Sequence, residues 1–386
     1  MDLGELRQRH SSKWRRYPAD VLPMHVAEMD FAVAEPIRRL IVDFANRSDL
    51  GYLGPLQELE GAFGAFAERR WGWQPQPQAL RLATDVGVAA VELLRLFCKP
   101  GDRVLINTPV YSSFMKWLIE LQLQPHDAPL VEIDGEWRID LDAISAAFES
   151  GVRVYLLCNP HNPVGRAHSR DELARVAELA AEHGAVVITD EIHAPLTYSA
   201  AQFTPYISVN DAARETGVLI TSNSKSWNTA GLKAAFALTE SQRLAHVMKG
   251  LPEAMHWRAS LIGGFSMVVS YNECEPWLDS TVASLESNFA LLRQLLSESL
   301  PKAQLWHQRA TYLAWISLSN YQVDNPSEFL LREAKVSTVP GGDHAPKGNS
   351  RYNQHIRLNF GTKPGILESG VSSIAAALLH SAPNSV

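Results

Sequence analysis

Two hydrophobic periods alternate along the middle of the chain. ALRLAT (79–84) precedes VGVAAVELLRLF (86–97), and the Lys99-Pro100-Gly101-Asp102 turn then breaks the chain. VLIN (104–107) leads into SSFMKWLIELQ (112–122). VYLLC (154–158) leads, through a Pro/Asn loop, into SRDELARVAELAAEHG (169–184). There Ser169 and Glu172 have capping-box spacing, and Leu173, Val176, Leu179 and Ala180 fall on one helical face. VVIT (186–189) and VLIT (218–221) are short and β-branched, as strands buried on both faces are. Strand and helix alternating between about residues 79 and 225 predict an α/β fold: a mainly parallel central sheet with helices on both faces. Further on, Val282, Leu285, Phe289, Leu292 and Leu296 keep helical spacing between Pro276 and Pro301. Strand-like LAWISL (313–318) and HIRLNFG (355–361) follow, then the helical run ILESGVSSIAAALLH, which predicts a smaller α+β domain. Residues 1–45 are rich in Pro and aromatics without a clean period, which suits a segment wrapping both parts. The expected division is 1–45 as an N-terminal segment joining the small domain, 46–275 as the large domain and 276–386 as the small C-terminal domain.

Composition narrows the class without naming an activity. At 386 residues, 46% hydrophobic and 20% charged, the chain has ample length to bury a core and is about two domains long. A net charge of −7 argues against a nucleic-acid binder that neutralises phosphates. Cys98, Cys158 and Cys274 are odd in number, far apart and without CxxC spacing, so neither a disulfide framework nor a structural zinc site is expected. The thirteen histidines show no HExxH pairing, and no metal is expected. The opening MDLGELRQRHSSKW has no apolar core, and no stretch approaches 18 apolar residues; a cytoplasmic protein with no membrane partner is the expectation. No G-x-S-x-G, P-loop or G-x-G-x-x-G occurs, which counts against hydrolase, NTPase and Rossmann dehydrogenase readings.

Open α/β sheets bind ligands at the carboxyl ends of their strands, so the residues just after each apolar run carry the chemical information. After VYLLC comes Asn159-Pro-His-Asn162-Pro-Val-Gly165-Arg166; after VVIT comes Asp190-Glu-Ile-His193. After VLIT comes Ser222-Asn-Ser224-Lys225-Ser226-Trp-Asn228, then Ala230-Gly231-Leu-Lys233. An amide, a carboxylate and a lysine are thus delivered in order. Taken singly, each has a structural reading: Asp190 as a helix cap, Tyr111 as core, Ser222 as a turn cap, His161 and His193 as satisfied buried imidazoles, Arg357 as half of an ion pair.

Together these blocks resemble the fold-type I pyridoxal phosphate (PLP) enzymes, the aspartate aminotransferase superfamily. Within it the chain looks closest to the cystathionine β-lyase-like MalY/PatB C–S lyases. Lys13-Trp14…Tyr17, Leu22-Pro-Met-His-Val-Ala27-Glu-Met-Asp30-Phe31, Gly51-Tyr52, Thr108-Pro-Val-Tyr111, Asp190-Glu-Ile-His193 and Ser224-Lys225-Ser226-Trp-Asn228 carry the likeness. The resemblance implies that Lys225 forms the Schiff base with PLP and, once freed, takes the substrate Cα proton. It implies that Asp190 pairs with the pyridine nitrogen, Asn162 bonds the phenolic oxygen with His193 near it, and Tyr111 stacks on the ring. The helix start at Asp85-Val86-Gly87-Val88 would give the Gly87 and Val88 amides to the phosphate, with Ser222 and Lys233 as further ligands. Tyr52 would reach the phosphate of a second subunit, implying a homodimer with shared active sites, and Arg357 would clamp the substrate carboxylate.

The implied activity is α,β-elimination from L-cystathionine or an L-cysteine S-conjugate, giving a thiol, pyruvate and ammonia. An aminotransferase acting on an L-amino acid is the alternative. A third reading, a non-catalytic regulator that kept the PLP fold, is disfavoured because no basic winged-helix segment precedes residue 11. Val339-Pro-Gly-Gly-Asp343-His344-Ala-Pro-Lys347-Gly departs from the Phe-Gly pattern of the family and reads as a surface loop in preference to a substrate contact.

Overall fold

The computed structural model describes residues 1–381. Its centre is a seven-stranded sheet made of β1 (Ala79–Ala83), β2 (Arg103–Ile106), β3 (Gln124–Asp127), β4 (Val154–Cys158), β5 (Val186–Asp190), β6 (Gly217–Thr221) and β7 (Ala235–Thr239), in the order β1-β7-β6-β5-β4-β2-β3. β3, β2, β4, β5 and β6 run parallel, and β7 is antiparallel to both its neighbours. Every residue of β4, β5, β6 and β7 is buried, so these strands read as near-continuous apolar runs. Alternate side chains then serve opposite faces. In β4, Tyr155 and Leu157 join one hydrophobic cluster, and Val154, Leu156 and Cys158 join the other.

Helices cover both clusters, as the sequence predicts. α1 (Val86–Phe97) buries Ala89, Ala90, Leu93 and Leu94 on one side. α2 (Arg170–Glu182) buries Leu173, Val176, Ala177 and Ala180 on the other. The expected capping box starts α2: the Glu172 N–H donates to Ser169 Oγ at 3.2 Å, and the Ser169 N–H to Glu172 Oε2 at 2.9 Å.

A second, antiparallel sheet of β8 (Gln304–Leu305), β9 (Leu313–Ser317), β10 (Val339–Pro340) and β11 (His355–Asn359) has the order β8-β9-β11-β10. The long helix Glu275–Ser299 packs against the helix Pro364–Ser381 beside it. The N-terminal segment contacts both parts. Leu22–Pro23 pairs in parallel with Val336–Ser337, and the helix Glu35–Asn46 packs on Leu261–Glu273. Among the described residues, no helix is long and apolar enough to cross a membrane.

Candidate active site

A cavity of about 310 Å³ opens at the carboxyl ends of β4, β5 and β6, and the sheet explains which residues reach it. Asp190 is the last residue of β5, Asn162 follows β4, and Lys225 follows β6; all three line the cavity. His193, Tyr111, Gly87 and Lys233 share the same wall.

Lys225 donates from Nζ to the Ala27 carbonyl at 3.0 Å. Burial, reinforced by the Arg357 charge, pushes its amine down to about 8, against the pull of Glu28 and Asp190. Burial drives the Asp190 carboxyl up to about 7, opposed by the Ile192 N–H at 3.2 Å and by the Lys225 charge. Glu191, the next residue, points away and takes the Tyr206 N–H at 2.9 Å and the Thr189 hydroxyl at 3.1 Å. His193 is pushed down to about 3 by burial, then by Lys225 and Arg357, so it stands as a neutral imidazole; its Nδ1 has no protein partner.

Arg357, buried on β11, donates from Nη1 to Asn162 Oδ1 at 3.3 Å and from Nη2 to the His25 carbonyl at 3.0 Å. Its Nε is buried without a partner. No carboxylate holds this guanidinium by hydrogen bond among the described residues, so the ion-pair reading of Arg357 does not apply.

The start of α1 forms another part of the wall. A Cβ at Gly87 would meet Asp85 Oδ1 and the Trp117 ring at 3.2 Å, so glycine keeps this corner open. Asp85 caps the helix by accepting the Val88 N–H at 2.9 Å, which leaves that amide engaged, and Val88 does not line the cavity. Lys233 sits at φ +56° and places Nζ 3.1 Å from Asp85 Oδ2. Ser222 is buried behind the wall: its hydroxyl donates to the Ala234 carbonyl at 2.6 Å and accepts the Ser224 N–H at 3.0 Å. Ser224 lines the cavity in its stead. Tyr52 lies away from the cavity, 84% exposed, with its ring edge on Trp257.

A model of the family described as aminotransferase class I and II matches residues 19–374. The chain belongs to that family. A Mycobacterium tuberculosis protein provisionally named a cystathionine beta-lyase is 38% identical over 98% of both chains. The cystathionine beta-lyase of Corynebacterium glutamicum is 33% identical over 98% of this chain and 99% of its own. The crystal structure of the PLP-bound C–S lyase from Staphylococcus hominis matches with a TM-score of 0.89 at 26% identity, covering 97% of each chain. The fold is therefore that of the fold-type I aminotransferase-like enzymes.

Within this family member, several residues enter the site that the strand-end reading did not supply. The Ala27 carbonyl also accepts the Tyr312 hydroxyl at 3.0 Å, so lysine and tyrosine meet on one backbone oxygen. Thr311, before Tyr312, sits at φ +71°, a strained conformation for a β-branched residue and one often found beside functional groups. The segment carrying Ala27 is stitched down by Asn359, whose Nδ2 donates to the Val26 and Glu28 carbonyls at 2.6 and 2.8 Å. Asn228 pairs with both backbone groups of Met29 at 2.8 Å. The signal available in sequence was the His25–Phe31 run itself, legible as a motif but silent about which carbonyl faces the lysine. The expected surface loop at 339–348 needs correction. Asp343 is exposed, but His344 is fully buried with its ring edge on Trp315, because Gly341 lets the chain turn closely over Tyr352 and His355.

Proposed function

We propose that the protein is a PLP-dependent C–S β-lyase that cleaves L-cystathionine or an L-cysteine S-conjugate to a thiol, pyruvate and ammonia. The observation that carries this reading is the shared wall of Lys225 and Asp190, with Arg357 bonded to Asn162 beside them. The family membership is common to lyases and aminotransferases; the near-full-length relatives named cystathionine beta-lyase support elimination.

The donor set fits PLP. A buried carboxyl raised to about 7 regains its charge when a cationic N–H comes against it, and a protonated pyridine nitrogen is such a group. An amine lowered to about 8 has the neutral fraction that condensation with an aldehyde needs. The N-terminal end of α1, left open by Gly87 and flanked by the Lys233 ammonium, suits a phosphate; Val88 would serve by its place in the first turn, and Ser222 by holding the 222–234 turn. Asn162 and His193 would serve the phenolic oxygen, and Tyr111 the ring face. When bound, the cofactor supplies an electron-poor ring that accepts the electron pair left at the substrate Cα.

The chain's own groups do the rest. Arg357 binds the α-carboxylate, exchanging the His25 carbonyl for a charged acceptor and giving its unpartnered Nε–H a use. Lys225 Nζ leaves the Ala27 carbonyl and takes the Cα proton. A homodimer belongs to the same reading, with Tyr52 serving the site of a second copy; its 84% exposure supports this. A cytoplasmic location is supported by three cysteines, all unpaired. The division near residues 46 and 275 is proposed likewise, supported by the Leu22–Pro23 pairing that ties the N-terminal segment to Val336–Ser337.

Removing the amine tests the proposal. Lys225→Ala is expected to yield no pyruvate from L-cystathionine, whereas a variant retaining the parent rate would refute it.

A further inference from the structure

Tyr111 lines the cavity at the end of a loop that is fastened residue by residue. Thr108 is bound by Asp127 on β3, whose carboxylate accepts its N–H at 3.1 Å and its hydroxyl at 2.8 Å. The Pro109 carbonyl accepts from His161 Nε2 at 2.8 Å. The Val110 carbonyl accepts from His344 Nδ1 at 2.8 Å, and the Val110 N–H returns to the His344 carbonyl at 2.9 Å. Two imidazoles thus grip consecutive carbonyls, and the next side chain is Tyr111.

Both rings are fully buried. Because a carbonyl can only accept, each ring nitrogen facing one carries a proton. Burial lowers His161 to about 4 and holds His344 well below its usual value, with the Arg357 charge adding to the latter, so each ring donates in its neutral form. His344 differs from the other fasteners in its origin: Asp127 and His161 belong to the central sheet and its loops, whereas His344 follows β10 of the second sheet. Its ring stands edge-on to Trp315 at 5.1 Å, and Trp315 is the cross-strand partner of Arg357. Val339 on β10 flanks Arg357 from the other side.

We infer that His344 is a positioning residue. Its reciprocal pairing with Val110 latches the sheet that carries Arg357 onto the loop that carries Tyr111, so the grip on the substrate carboxylate and the ring-facing tyrosine keep one register. This inference rests on the PLP reading above. A phenylalanine in this position could fill the space beside Trp315, but it could not donate to Val110.

The test contrasts two amides. His344→Asn places an N–H where Nδ1 stands, and His344→Gln places it where Nε2 stands, so both remain polar while only the first keeps the bond. Each is made in the PLP-loaded protein, alone and together with Tyr111→Ala. Loss of the bond in the Gln variant is expected to lower kcat about fivefold, the factor a single neutral hydrogen bond carries, with KM changed less than about twofold. The visible circular dichroism of bound PLP should change with it. The Asn variant should restore both. Against Tyr111→Ala, the Gln substitution should add less than about twofold, because the residue it acts through is gone. Equal behaviour of Asn and Gln, or a full multiplicative loss in the Tyr111→Ala background, overturns the latch while leaving the PLP reading intact. An unaltered protein that binds no PLP overturns both.

Discussion

Lys225 shows how far one backbone oxygen can set up a site. The amine rests on the Ala27 carbonyl, shares that oxygen with the Tyr312 hydroxyl, and is lowered by burial to about 8 from an ordinary 10.5. The sign of the consequence follows. Below about 8 the ammonium predominates and cannot attack an aldehyde; above it the neutral amine does. The rate at which cofactor-free protein takes up PLP should therefore climb about tenfold per pH unit below that point and level off above it. Stopped-flow absorbance of the bound cofactor reads this directly, and a rate still climbing at pH 10 would show that burial does not depress the amine. Lys225, Asp190 and Asn162 were legible because each follows a buried strand in a distinctive block. Tyr312 and Ala27 were not: one precedes its strand, and the other contributes an atom that every residue possesses. His344 was misread because Gly-Gly-Asp before it has the composition of an exposed turn, whereas Trp315 offers its ring a buried place.

The elements carry these residues with little slack. Helix Leu261–Glu273 begins against the turn that carries Lys233: Ser260 donates its N–H to the Lys233 carbonyl at 3.0 Å and accepts the Gly263 N–H on its hydroxyl at 3.1 Å. A Cβ at Gly263 would stand 2.1 Å from the Leu232 carbonyl oxygen, a backbone atom that cannot swing aside. Gly263→Ala should accordingly cost about 3 kcal/mol in chemical denaturation and weaken PLP retention through Lys233. A midpoint equal to that of the parent would mean that the turn moves freely. Strands β1, β2, β4, β5 and β6 and the α2 cap can be read from periodicity because pattern and packing agree there. β3 was missed since Gln124–Asp127 is a polar edge strand containing a proline. β7 was missed because Ala235–Thr239 returns antiparallel with no α-helix between, only a 3-10 turn at Ala230–Leu232, breaking the alternation that revealed the others.

Across the whole molecule, the N-terminal segment joins the two sheets around the cavity. Its anchor is the Lys13–Asp30 ion pair at 2.8 Å, both side chains almost fully buried, with Lys13 also donating to the Glu28 carbonyl at 3.0 Å. From that anchor the His25 and Ala27 carbonyls reach Arg357 and Lys225, the two cationic groups that the proposed reading assigns to a substrate amino acid. Composition had bounded the chain to about two domains with an acidic surface, but the role of its first residues emerged only from contacts across more than 300 positions, as between His25 and Arg357. The central claim is elimination at this site, and it has a direct measurement: PLP-loaded protein incubated with L-cystathionine and no 2-oxo acid. The expected result is pyruvate, ammonia and a free thiol in equal amounts. Amino-group exchange on adding a 2-oxo acid, with neither thiol nor pyruvate released from cystathionine, would contradict it.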